Sequence, residues 1–170
     1  VDVAVIAIVI LAILAGFILI AIAGRSPVQH VGDRPTGEHG DMAQAMIESL
    51  SLAQFETLCI RLLEGLGLVI NGPVRRRDRE VEISAVNPQP IIGGDVLVHC
   101  VLAHEARPVD NHAVQSLSDT VKADGASKGI LITNGYFAEE VGRLSEGPPI
   151  ELINATRFRK LLDDHQISLA

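Results

Sequence analysis

The chain of 170 residues has no tryptophan, one tyrosine and four phenylalanines, so aromatics make up 3% of it against 48% hydrophobic residues. Its apolar content is therefore aliphatic, and much of it lies in one place. Cysteine is equally scarce: Cys59 and Cys100 are the only two, and no CxxC pair is present. No metal-type pairing is therefore present, a disulfide is not expected in a reducing cytoplasm, and apolar surroundings read each cysteine as core packing. A basic excess is lacking too. With Asp2 set aside, fourteen basic residues face twenty acidic ones downstream, a net charge of −6. A general nucleic-acid binder is expected to be basic overall. No internal repeat or low-complexity tract interrupts the sequence.

What is there begins with residues 3–23, VAVIAIVILAILAGFILIAIA, which carry no charged or strongly polar side chain. As a helix they span roughly 31 Å, the thickness of a bilayer core. In lipid the backbone must satisfy its own hydrogen bonds, so such a run is expected to be a transmembrane helix over 1–24. A secretory signal peptide is the rival, since Ala21-Ile22-Ala23 has small residues at cleavage spacing. The long apolar run and the missing basic leader argue against it. Arg25 and Arg34 follow the helix while only Asp2 precedes it, so the positive-inside rule places the C-terminal part in the cytoplasm. The expected location is the inner, cytoplasmic membrane, in single-pass form. Ala12 and Gly16 form a small-xxx-small pair that permits another membrane helix to approach.

Residues 25–40 are rich in Gly, Pro and polar side chains and read as a flexible linker. A folded domain is expected over 41–165, with a short tail at 166–170. Asp41 is a candidate cap for a helix over 42–50, and Ser51 for the next, where Phe55, Leu58, Cys59, Leu62, Leu63 and Leu66 fall on one face. Strands are expected at 68–70, 81–86, 95–103, 129–133 and 150–153. The run DVLVHCVLA over 95–103 is almost wholly apolar and predicts a central strand buried on both faces. Helices are expected at 110–123, at 137–144 and after Asn154. This order predicts an α/β domain with a mixed central sheet flanked by helices.

From Phe55 to Leu162 the sequence resembles the catalytic domain of Mrr-type (type IV) restriction endonucleases, of the PD-(D/E)xK nuclease fold. The likeness rests on Phe55-Glu56 opening a helix that closes at Leu66-Gly67, on the buried strand, on Pro108-Val109, and above all on GASKGILITNGYF over 125–137. The resemblance implies a magnesium ion held by a carboxylate on one strand. On the next it implies a Gln-x-Lys pair, two residues apart and so on one face. The lysine would handle the attacking water. In this sequence the carboxylate position falls on Glu82, the only metal-ligand candidate, and the Gln-x-Lys position on His99-Cys100-Val101. Glu56 matches the family's helix glutamate. His99 is a softer ligand than magnesium prefers, and Val101 cannot carry a proton.

Two alternatives to this arrangement exist in the sequence. The family sometimes carries its lysine on a neighbouring helix, and Lys122 lies at the end of one. Asp95 with Glu105-Ala106-Arg107 has the spacing of a shifted acidic motif, but along an extended strand the two acids lie roughly 30 Å apart and could not share a metal unless the chain turned back between them. The resemblance therefore implies a degenerate endonuclease, leaning away from an enzyme, with no cofactor unless the nuclease is active, in which case magnesium.

Arg75, Arg76, Arg77 and Arg79 form the single basic cluster. They are candidates for contact with a nucleic-acid backbone or with anionic lipid headgroups. The alternative is a solvated loop, or ion pairs to Glu80, Glu82 and nearby acids. His30, His39, His104, His112 and His165 read as surface residues, and His99 as a core histidine with a hydrogen-bond partner. Three functions follow: an interaction or accessory subunit of a membrane complex, a DNA-binding protein at the membrane, or an active tethered endonuclease. The expected partners are the bilayer and other membrane proteins. Nucleic acid and a second copy of the chain are the alternatives.

Overall fold

The computed structural model describes residues 45–47, 49–103, 107–143 and 149–168. The expected membrane helix and linker lie outside these residues. Among the described residues no helix is long and apolar enough to cross a membrane. The chain divides into a unit Val1–His30 and a unit Val31–Ala170, and all described residues fall in the second.

Helix α1 (Leu52–Gly65) starts where the sequence signals it. The Ser51 hydroxyl accepts from Gln54 N–H at 3.3 Å, and the Gln54 side-chain oxygen accepts from Ser51 N–H at 3.0 Å, a complete capping box. Gly67 stops it with φ +81°, a left-handed conformation that glycine adopts without steric cost. Of the helix expected over 42–50, residues 45–47 are helical.

Six strands follow: β1 (Val69–Ile70), β2 (Arg75–Arg77), β3 (Glu80–Asn87), β4 (Gly94–Val101), β5 (Lys128–Thr133) and β6 (Ile150–Ile153). Their order is β1-β3-β4-β5-β6, with β2 also paired to β3. The β1–β3, β2–β3 and β3–β4 pairs are antiparallel, whereas β4–β5 and β5–β6 are parallel. The sheet is thus mixed, and β4 is central, as its apolar run requires. Helix α2 (Asn111–Asp124) joins β4 to β5, a 3-10 turn (Glu139–Arg143) precedes β6, and α3 (Ala155–Asp164) ends the fold. The segment expected to be helical over 137–144 is that shorter turn. Asp110 caps α2 and Asn154 caps α3 through side-chain acceptance of backbone N–H groups.

β2 is the element that the arginine run concealed. Three exposed arginines carry no apolar alternation, so they read as a solvated loop. Asp78 adopts φ +39° between Arg77 and Glu80, which pair, and this tight turn folds the run back onto β3. Asp tolerates the left-handed region better than most residues.

Each face of the sheet has its own core. Val81, Ile83, Val96, Val98, Cys100, Ile130 and Ile132 pack under α1 and α3, where Phe55 and Phe158 meet edge to face at 5.5 Å. Cys59 and Cys100 both lie there, fully buried with free thiols. Burial, and then the neighbouring Cys100 thiol, push the Cys59 thiol well above its ordinary value. On the opposite face α2 supplies Val114, Leu117 and Val121 against Leu131, with Leu97, Val101 and Leu152 beside them.

Candidate functional site

Strand register decides which side chains meet. Glu82 pairs with His99 and Glu80 with Val101, across β3 and β4, while Arg75 pairs with Glu82 on the other side. Residues directly opposite in a sheet share a face, with Cβ atoms roughly 4.5–5.5 Å apart. Glu80, Glu82, His99, Val101, Arg75 and Arg77 therefore all lie on the α2 side of the sheet. The register thus sets Glu82 opposite His99, on the face that His99 shares with Val101.

His99 is 8% exposed, and its Nε2 is 3.2 Å from Glu80 Oε2. The expectation of a core histidine with a hydrogen-bond partner holds. Glu82 is half-buried, and among the described residues its carboxylate forms no hydrogen bond or ion pair. Beside it opens a groove of about 90 Å³, lined on the sheet by Arg75, Glu82, Ser84 and His99, with Pro73 at its rim. Its far wall is α2, which presents Ser116, Thr120 and Asp124. These three recur every fourth residue and so form one polar helical stripe. Sequence reasoning missed this wall. The spacing was legible, but only the packing of Leu117 and Val121 onto the sheet shows that the stripe faces Glu82.

Among the described residues no lysine lines the groove. Val101 occupies the position that the resemblance gives to lysine, and its side chain packs with the α2-side core. Lys122 is exposed and stands two residues on from Thr120, about 200° round the helix, so it points away from the groove. Lys128 projects to the other face and pairs with Glu151, which also receives Arg157. Burial alone would raise the Glu151 carboxyl, but these two cations hold it below its ordinary value. Asp95 opens β4, and Glu105 lies outside the described residues.

Nor do the donors fit a magnesium ion. Among the described residues no group of three His, Cys, Asp or Glu side chains could hold a metal. Glu82 offers one carboxylate, its neighbour on β4 is an imidazole, and Asp124 stands across the groove on α2. A hard cation needs several oxygen ligands converging on one point. Glu56 does not add one. It is 8% exposed on α1, on the opposite face of the sheet, and Arg76 clasps it with Nε and Nη2, each 2.5 Å from a carboxylate oxygen. The hydrogen bonds to Glu56 raise the Arg76 pKa further.

The arginine cluster is thus not one surface. Arg76 turns to Glu56, an acid on α1, and not to Glu80 or Glu82. Arg79 donates to the carbonyls of Leu102 and Ala103, at 3.1 and 2.6 Å, and ties off the end of β4. Arg75 and Arg77 remain exposed on the groove side. His112 and His165 are exposed, as expected, whereas His30, His39 and His104 lie outside the described residues.

Residues 47–162 match the model of the Mrr catalytic domain of restriction endonucleases. The chain belongs to this Mrr-type family. The fold is similar to that of the DNA modification-dependent restriction endonuclease AspBHI, with a TM-score of 0.61 and 18% identity over 78% of this chain and 37% of that one. It is also similar to the MspJI restriction endonuclease in complex with a 27-mer oligonucleotide, with a TM-score of 0.53 and 13% identity over 82% of this chain and 34% of that one. The chain spans about a third of the length of these enzymes. No individually curated protein sequence matches it significantly. The Mrr-type domain occupies the mixed α/β sheet that the sequence led one to expect.

Proposed function

We propose that this chain is a membrane-anchored Mrr-type domain that has lost hydrolysis and serves as an interaction or accessory subunit of a membrane complex. One observation carries the reading: Val101, in the lysine position, is packed against the α2-side core, and no described lysine reaches the groove beside Glu82. Without an ammonium among the described residues of the groove, the group that the resemblance assigns to the attacking water is not in its place. The groove's charged lining is Arg75 against Glu82 and Asp124, which does not suit a phosphate backbone. The apolar run 3–23 supports the anchor, and Arg25 and Arg34 support a cytoplasmic domain at the inner membrane. The domain boundaries are proposed at 41 and 165, after a linker over 25–40.

Nucleic acid is the second reading, as a DNA-binding protein or an active endonuclease that would use magnesium at Glu82. It is favoured by the exposed Arg75 and Arg77 and by the fold shared with an enzyme bound to an oligonucleotide. A pull-down of tagged full-length protein in mild detergent, with mass spectrometry, tests the first reading. Stoichiometric membrane proteins are the expected result. Recovery of the chain alone, together with magnesium-dependent DNA cleavage abolished by Glu82→Ala, would overturn it in favour of the nuclease. Salt-sensitive DNA retention without cleavage, lost on Arg75→Ala with Arg77→Ala, would favour the binding protein.

A further inference from the structure

The turn between β3 and β4 displays Ile91 and Ile92, which are 104% and 75% exposed. It is not a slack loop. Gly93 N–H donates to the Gln89 carbonyl at 2.8 Å, Ile92 N–H to the Pro90 carbonyl at 2.9 Å, and Gln89 N–H to the Asn87 side chain at 3.1 Å. The Ile92–Pro90 bond closes a γ-turn centred on Ile91, whose φ is +76°. That region is costly for a β-branched residue, and a γ-turn of this hand is strained. Gly93 is required, since a Cβ there would stand 2.2 Å from the Asn87 carbonyl oxygen and 2.3 Å from that of Gln89. The chain thus accepts backbone strain in a bonded turn whose outcome is two aliphatic side chains in water. Such an outlier points toward function.

The surroundings narrow what covers the tip. From Ser84 to Gly94 there is no charged residue, and the next one is Asp95. Below the turn Val69, 53% exposed, pairs with Val86, whose other neighbour across the sheet is Asp95. An uncharged aliphatic tip without a lysine or arginine does not match a phosphate backbone. It does match the acyl boundary of a bilayer, where aliphatic side chains leave water and no charge has to be desolvated.

We propose that this hairpin tip inserts Ile91 and Ile92 into the bilayer interface, as a second membrane attachment of the domain. The inference rests on the proposed anchor. The first described core residue, Ile47, bonds to Asn134 beside Ala103, at the opposite end of β4 from the tip. Eight residues of β4 separate the two ends by roughly 26 Å. Sixteen residues, 25–40, separate the proposed anchor from the proposed domain, and a chain of that length spans at most about 55 Å, more than the distance between the two ends of β4. Because the tip is uncharged, the contact is insensitive to salt and does not need anionic lipid.

The test uses the full-length chain reconstituted in phosphatidylcholine vesicles, with Ile92→Cys carrying the environment-sensitive NBD fluorophore. Asp163→Cys, at an exposed site on α3, is the control. The native thiols are fully buried and do not compete for label. The expected result is a chain that floats with the vesicles. Emission from position 92 rises several-fold, shifts to the blue and is quenched by nitroxide-labelled lipid, whereas position 163 shows neither effect. A floating chain whose tip label stays in water overturns the insertion and leaves the anchor standing. A shielded label that lipid nitroxides do not quench also overturns it, and assigns the tip to a protein contact. A chain that does not float refutes the anchor, and the inference falls with it.

Discussion

Asn134 provides a sharp test of how the family's most recognisable segment works. It is 1% exposed at the end of β5. Its side-chain oxygen accepts from Ala103 N–H at 2.6 Å, and its amide donates to the Ile47 carbonyl at 3.1 Å. One side chain thereby ties the end of β5 to the segment leaving β4 and to the residues that lead into α1. Asn134→Ala leaves a donor and an acceptor without partners in a place that water reaches poorly. Each such loss costs on the order of 1–2 kcal/mol, so the variant is expected to lose about 2–4 kcal/mol. For a domain of this size that lowers the Tm by about 10 °C. A contrasting variant is Asn111→Ala, because the Asn111 side-chain oxygen is buried without a hydrogen-bond partner among the described residues. Its removal is expected to change stability by less than about 0.5 kcal/mol. Thermal and urea unfolding of the full-length protein in detergent, followed by circular dichroism, measures both. An Asn134→Ala Tm within about 2 °C of the parent would refute the reasoning, as would equal losses in the two variants.

Three further outcomes are expected. The Glu151 carboxyl is held low by Lys128 and Arg157, so its stabilising contribution is complete above the unfolded carboxyl value of about 4.3 and fades as pH falls through the lower folded one. Glu151→Gln is then expected to lose stability at neutral pH and to show a flatter acid limb, and an unchanged acid limb would remove the argument. Phe55 and Phe158 are both 0% exposed and meet at an interplanar angle of 77°, so a double-mutant cycle through Leu is expected to give a coupling of about 0.5–1.5 kcal/mol. Cys59 and Cys100 are expected to resist thiol reagents in the native state and to react together on unfolding. Fast labelling of native protein would contradict their burial.

Much of the architecture was legible because it rests on local rules. Ser51 with Gln54 announces the start of α1 in four consecutive residues, and the aliphatic run 95–103 needs shielding on both sides, which a central strand provides. That His99 and Val101 share a face followed from two-residue periodicity, whereas the β3–β4 register sets Glu82 opposite His99. The arginine run marks where local rules stop. Arg75, Arg76, Arg77 and Arg79 look alike in sequence. One lines the groove, one clasps Glu56 on the other face, one stays exposed, and one closes the end of β4. The first three are sorted by which side of β2 each occupies, and Arg79 by its place in the turn after Asp78, so all four depend on that turn and on the register against β3. Likewise the polar stripe of α2 became a groove wall only when Leu117 and Val121 fixed the helix on the sheet. Sequence settles what each side chain can do and how often it recurs along the chain. Which charges meet, and which apolar residues are left in water at Ile91 and Ile92, is decided by long-range register, because it depends on neighbours far away along the chain.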